Sequence, residues 1–402
     1  QLIPDEIENI SDFLNAETWA IVPFDQLHPE YKVISVNGLS PLDDNYSQQA
    51  YSLEGQYTLY TSPATAERLP AELKAALIAV LPVTNRDPSR MSTLVMTGVT
   101  ALVRATAYRM ETKGFLYPAR DIIDWLNSAD ITHISNEVSF YENCPYPDPY
   151  DPLLTFCSNP DYISLLDHVG ADVIELSGNH NNDASRMFNE NSFDETLAMY
   201  DAHGMLTFGG GTNLEDAMQP ALISHNGNNL AFIGCNIAGP NFAWATPTSG
   251  GAAPCGDLTW MVNTIQSLRQ EGYLPVVTFQ YYEDYSNDAS PQMKADFRRM
   301  AEAGAVIVNG SQAHRPKEME FLNGALIHYG LGNLFFDQMS VTINGVTYTQ
   351  TRNEFIQRHV LYDGRYISTE LLTAVLEDWA KPRPMTLDER QVFLNEIFSV
   401  DP

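Results

Sequence analysis

The chain has 402 residues, 44% of them hydrophobic and 11% aromatic, which is material for a large core and more than one structural unit. Its 51 acidic residues against 22 basic ones leave a net charge of −29, a surface that repels nucleic acid and anionic membranes and argues against nucleic acid as a partner. No run approaches the roughly 18 apolar residues of a membrane-spanning helix, and the start at Gln1, without a basic and apolar leader, points to a mature extracytoplasmic chain after signal-peptide removal.

Residues 1–88 read as a small N-terminal α+β unit. IENISDFLN (Ile7–Asn15) has helical spacing, WAIVPF (Trp19–Phe24) and YKVISV (Tyr31–Val36) have the look of short strands, and Ala66–Leu81 is an Ala- and Leu-rich helix. From Ser92 the rhythm changes to strand, helix, strand. Strands are predicted over 92–103, 131–140, 172–177, 274–280 and 305–309, with helices over 119–129, 160–169, 191–203, 258–271 and 291–303 between them. Gly204 and Gly304 stand where helix C-caps belong. Asn226-Gly227 and Asn323-Gly324 are hairpin signals, so the sheets are mixed. From about Thr342 the pattern is irregular, then helical over 367–378 and 386–398. The division expected is 1–88, a core over 89–341, and a C-terminal extension with helices over 342–402.

Five of the predicted strands end abruptly in polar residues: MTGVTALVR (Met96–Arg104), ITHISNEVSF (Ile131–Phe140), DVIELSGNHNND (Asp172–Asp183), VVTFQYYEDY (Val276–Tyr285) and VIVNGSQAH (Val306–His314). In open α/β sheets the carboxyl edge of the strands is where ligands bind, so these endings describe one site. The cluster they define is Arg104, Glu137, Asn179, His180, Asp183, Gln280, Asp284, Gln312 and His314. Arg104 has the fork for a phosphate or carboxylate, and His180 or His314 has the pKa range for proton transfer. Glu137 reads either as a site acid or as an ion-pair partner of Arg104. His133, His168, His225 and His328 lack partner spacing and read as structural, and GGGTN (Gly209–Asn213) lacks the Lys and Ser/Thr of a phosphate loop and reads as a turn. Tyr281, Tyr282 and Tyr285 read either as packing or as a stacking wall. Four cysteines allow three connectivities; proximity in chain favours two disulfides, Cys144 with Cys157 and Cys235 with Cys255, in an oxidising compartment.

The segment from about Ser92 to Asp337 resembles the CapA-like family of bacterial poly-γ-glutamate capsule synthesis. GNHNND (Gly178–Asp183) is similar to that family's N-N-H-x-x-D, YGLGNLFFD (Tyr329–Asp337) to its Y-S-L-G-N-F-x-F-D, and GVTALVR (Gly98–Arg104) and GSQAH (Gly310–His314) match further elements in order and spacing. The resemblance implies a four-layer, two-sheet α/β sandwich of the calcineurin-like metallophosphatase type, following the small α+β unit. It also implies an extracytoplasmic function in capsule or exopolymer synthesis or processing. It gives catalytic roles to His180, His314, Arg104 and Glu137 and substrate contacts to Asn179, Gln280, Asp284 and Gln312. Three positions depart from the pattern. Val99 stands where the family has an Asp, and Gln280 and Ser311 where it has His. Each change puts a neutral or apolar group in place of a metal ligand, so the expectation is no di-metal centre. At most one hard cation such as Ca²⁺ or Mg²⁺ is expected, with Glu137, Asn179 and Asp183 as candidate ligands. If the site is catalytic, the reaction class is hydrolysis or transfer at an amide or phosphoester. The alternative is a non-catalytic ligand-binding protein or a self-assembling cell-surface component, with a homo-oligomer or a surface assembly as the partner arrangement open to it.

Overall fold

The computed structural model describes residues 20–43, 46, 51–53, 62, 68–79, 84–150 and 155–398. The backbone divides into two compact units, Gln1–Pro88 and Ser89–Pro402.

In the first unit, the described residues form a 3₁₀ turn at Phe24–Gln26 and a helix at Ala71–Ala79. The Arg86 guanidinium donates to the carbonyls of Pro41 and Asp43, both at 2.6 Å, and lies over the rings of Phe24 and Tyr46. The predicted helix Ile7–Asn15 lies outside the described residues. The strands expected at 19–24 and 31–36 do not form within the described residues. Asn37-Gly38 turns the chain with positive φ at both residues, but only the bridge Val36–Leu39 follows, and a strand without a longer partner has nothing to pair with.

The second unit is built on two sheets. The first runs Lys381–Pro384, Arg365–Glu377, Asn353–Tyr362, Met91–Met96, Ile131–Asn136, Val173–Glu175, Leu206–Phe208; the short strand Val99–Thr100 also pairs with Ile131–Asn136. Its last four strands are parallel, and the C-terminal three are antiparallel. The second sheet runs Met319–Leu322, Ala325–His328, Ile307–Ser311, Leu274–Gln280, Asn228–Asn236, Ala221–His225, with a parallel centre and a hairpin at each edge. Along a strand successive side chains face opposite ways. Leu94 and Met96 therefore meet Phe232, Val276 and Ile307 between the sheets, while Val95, Ile134 and Ile174 face outward onto the helices Arg104–Lys113, Ile163–His168 and Ser192–Ala202. On the other side Val277, Phe279 and Val308 pack against Thr259–Gln270 and Pro291–Ala303. The layers are helix, sheet, sheet, helix, a four-layer α/β sandwich.

Two predicted helices differ from the sequence reading. The helix expected over 367–378 is the strand Arg365–Glu377, because Asp363-Gly364 turns with positive φ at both residues and sets it antiparallel to Asn353–Tyr362. Its Leu, Ala and Glu favour helix only by tenths of a kcal/mol each, which pairing overrides. The helix expected over 119–129 shrinks to a 3₁₀ turn at Tyr117–Ala119 and one turn at Ile123–Leu126. The final helix, Leu387–Phe398, buries Phe393 and Ile397 in the core shared by the two sheets.

Cys144 is joined to Cys157 and Cys235 to Cys255, and no cysteine is left free. Cys235 and Cys255 are both buried in the core beneath Thr259–Gln270. Closing a loop of this length restricts the unfolded chain, so Cys235→Ser with Cys255→Ser is expected to cost about 3 kcal/mol in urea unfolding. A loss below about 1 kcal/mol would mean that the bridge restrains little in the unfolded state.

Candidate functional site

The carboxyl ends of the parallel strands of both sheets open onto one edge, and two glycines let them approach. A Cβ on Gly178 would lie 2.3 Å from the Glu137 Cα, and one on Gly98 would lie 2.1 Å from the Gly332 carbonyl. Both clashes are with backbone, so only glycine permits these contacts. Glu137 follows strand Ile131–Asn136, its amide held by the Thr100 carbonyl. Asn136 turns the other way, donating to the Val138 carbonyl and the Tyr200 hydroxyl on the helix side. The alternation places Ser135 and Glu137 on the site face.

The centre of the site is an amide network. Gln280, the last residue of its strand, donates through Nε2 to Asn179 Oδ1 at 3.0 Å, to Glu137 Oε2 at 3.4 Å, and to Gln312 Oε1. Its own Oε1 accepts from Ser311 Oγ at 3.0 Å. Beneath it, between the sheets, Glu175 lies among the hydroxyls of Ser135, Ser177, Thr278 and Ser311, and burial pushes its carboxyl up. His133 Nε2 is 3.7 Å from Glu175, but burial drives the imidazole down to about 3, so a neutral histidine faces the carboxyl group.

A second row of contacts runs around the rim. The Phe156 ring stacks on His180 with centroids 3.5 Å apart and planes within 3°, and Arg104 lies over the same ring at 5.2 Å. Arg104 also lies 5.2 Å over Phe336, whose centroid is 5.1 Å from that of His314. Two aromatic rings thus link His180, Arg104 and His314 in a chain. His180 Nδ1 is 2.6 Å from Asp183 Oδ2, and His314 Nδ1 is 2.8 Å from Asn333 Oδ1. The fork of Arg104 is filled from within. Its Nε and Nη2 donate to the two oxygens of Asp337, whose Oδ2 also takes the Ala105 amide at 2.9 Å. Arg104, Gln312 and His314 all carry positive φ (46°, 73° and 52°), backbone that non-glycine residues adopt only when the surroundings hold it.

Of the residues singled out by sequence, Glu137, Asn179, Gln280 and Gln312 share hydrogen bonds, and Arg104, His180, Asp183 and His314 join them through the rim. Asp284 stands apart, 3.2 Å from the buried Lys317 ammonium. Glu137 is not the partner of Arg104; Asp337 is. Tyr281 packs on Phe279 and Phe297 in the outer core. Sequence reasoning passed over Phe156, Phe336, Asn333 and Asp337. The last three lie within YGLGNLFFD, whose match assigns no role to its side chains; Phe156 had no signal beyond its place next to Cys157.

The metal pair implied by the resemblance does not fit these residues. Val99 is fully buried and apolar, Ser311 points its hydroxyl at Glu175 and Gln280, and an amide NH₂ rather than a ligand atom faces Glu137, Asn179 and Gln312. Asp183, the other carboxylate considered, is bonded to His180. Among the described residues no group of three or more His, Cys, Asp or Glu is placed to hold a metal ion.

A two-sheet α/β sandwich with a polar cluster at its strand ends defines the class. The model of the family described as bacterial capsule synthesis protein PGA_cap matches residues 93–338, and the chain belongs to that family. It is 26% identical over 235 residues to the PGA biosynthesis protein CapA of Bacillus subtilis (strain 168), a match covering 58% of this chain and 57% of that protein. The chain thus spans little more than half the length of that relative. It is 23% identical over 321 residues to the capsule biosynthesis protein CapA of Bacillus anthracis, covering 78% of this chain and 75% of that one. Among solved structures, a hypothetical protein from Thermus thermophilus aligns with a TM-score of 0.41 at 12% identity, over 70% of this chain and 98% of the other.

Proposed function

We propose that the chain works outside the cytoplasm in the synthesis or processing of a capsule or related exopolymer of the poly-γ-glutamate type. Its strand-end site would handle a carboxylate- or phosphate-bearing envelope molecule. The observation that carries this reading is the family match over 93–338, which contains every member of the strand-end cluster. The two disulfides support an oxidising compartment. Among the described residues no helix is long and apolar enough to cross a membrane.

The chemistry open to the site is proton transfer by His180 at an amide or phosphoester. With the acceptor Asp183 Oδ2 at 2.6 Å, Nδ1 carries the proton, and the stack on Phe156 fixes the ring plane; Nε2 then accepts from the Asn179 amide at 3.4 Å, a long contact that a reacting group would replace. Arg104, paired with Asp337, holds the adjoining wall.

Incubating purified protein with poly-γ-glutamate and following chain length on gels tests this. The wild type is expected to shift the length distribution, and His180→Ala to slow that shift by about 10²-fold or more. Because the protein carries −29, its affinity for a polyanion should rise with ionic strength as repulsion is screened. A wild type that neither binds nor alters the polymer at any salt concentration would overturn the proposal. A second reading, a ligand-binding or self-assembling surface protein without catalysis, is favoured by Val99, Gln280 and Ser311. Binding that is equal in wild type and His180→Ala, with no change in chain length, selects it.

A further inference from the structure

We infer that the Gln280 amide is an internal substitute for a cation, and that it keeps the strand-end site closed to metal ions. Three oxygens from three separate segments meet at Gln280 Nε2: Glu137 Oε2 and Asn179 Oδ1 from the first sheet side, and Gln312 Oε1 from the second. A point on which side-chain oxygens converge from several strand ends is a place for positive charge. Here the positive charge is the partial charge on an NH₂ group.

Two details fix this orientation and mark its consequence. The reverse amide orientation would set Gln280 Oε1 against three acceptor oxygens with no proton between them, whereas the observed one also lets Oε1 accept from Ser311. An NH₂ group has two hydrogens for three acceptors, and Glu137 Oε1, buried, has no hydrogen-bond partner among the described residues. The cluster therefore keeps a surplus of acceptors, as a site with oxygen ligands does when a neutral group has taken the ion's place. Among the described residues the carboxylate facing this point is Glu137; Asn179 and Gln312 offer neutral carbonyls, and a buried Val99 adds no charge. That set competes poorly for a hydrated divalent ion while the amide is in place. The inference holds whichever ligand the site takes, and its test does not involve the polymer.

Restoring a ligand atom at position 280 should open the site. After stripping with a chelator, wild type, Gln280→Glu and Gln280→Ala are titrated with Mn²⁺ by calorimetry and melted with and without the ion. The wild type is expected to show no stoichiometric uptake and no change in melting temperature. Gln280→Glu should melt below the wild type in chelator, because two carboxylates then face each other, and should regain stability on binding one equivalent of Mn²⁺. Adding Glu137→Gln to that variant should abolish the uptake, which separates this site from ions gathered by the acidic surface. If Gln280→Glu does not fold, Gln280→Ala, which vacates the position without adding charge, should bind Mn²⁺ at least about tenfold more tightly than the wild type. One-equivalent binding by the wild type that is lost in Glu137→Gln would overturn the inference. So would folded position-280 variants as indifferent to the ion as the wild type.

Discussion

Replacing Asp337 by Ala is expected to destabilise the protein by about 3–5 kcal/mol, the loss typical of leaving a buried charge without its partner. The Asp337 side chain is 7% exposed and that of Arg104 18%, so water replaces little of what is removed. The carboxylate does more than balance a charge. One oxygen also holds the Ala105 amide at the start of helix Arg104–Lys113, and Arg104 itself has a φ of 46°. Without Asp337 the strained residue, the helix's first turn and the guanidinium all lose the same restraint. Asp337→Asn keeps the shape and one acceptor and should cost distinctly less. Urea unfolding of both variants checks this, and a loss of under about 1 kcal/mol for Asp337→Ala would show that Arg104 finds another partner at little cost.

Stability should fall as the pH drops below about 6.5, and most steeply below about pH 4.5. His133, His328 and His359 are buried and held neutral, each pushed from 6.5 to about 3, chiefly by burial; for His359 the neighbouring His328 and His133 add to it. A lowered pKa in the folded state gives stability that is present above the unfolded value and lost as pH falls toward the folded one. Below about pH 6.5 each histidine therefore contributes a loss of about 1.4 kcal/mol per pH unit. Glu175 and Glu354 act in the opposite sense. Burial raises both, so their contribution is present below the ordinary carboxyl value and lost as pH rises above it. The two sets oppose each other from about pH 4.5 upward, and below that the histidines act unopposed by these two carboxyls. Hence the decline should be steepest beneath about pH 4.5. His359→Gln, which can retain a bond to Thr369, should flatten the slope below pH 6.5 by about 1.4 kcal/mol per unit relative to wild type. Parallel pH curves for variant and wild type would show that His359 is not held neutral.

The parts of the fold that were legible in the sequence share one property: their signal is local. Parallel strands such as Leu274–Gln280 are short apolar runs with polar ends, and helices such as Pro291–Ala303 end at a glycine with positive φ. Convergence of the strand-end residues followed from the edge rule for α/β sheets. What escaped was decided by distant partners. Residues 365–377 have helical composition and become strand because 353–362 lies beside them; the Asp363-Gly364 turn that joins the two was a readable signal, as was Asn344-Gly345 between Val341–Ile343 and Val346–Tyr348. The partner of Arg104 was missed for the same reason. Asp337 is 233 residues away, and nothing in the spacing of either residue distinguishes it from Glu137.

The position of strand Asn353–Tyr362 sets where this molecule can be divided. It pairs with Met91–Met96, which on its other side pairs with Ile131–Asn136, so a strand from beyond the family-matched segment lies inside the sheet that begins that segment. A gene fragment trimmed to residues 93–338 would leave the Met91–Met96 register with a bare, apolar flank open to any passing chain. Recombination that respects the fold must carry residues through Leu387–Phe398 along with the rest. The segment 93–338 that the family match covers is, in folding terms, a sheet without the strands that lie beyond its first one.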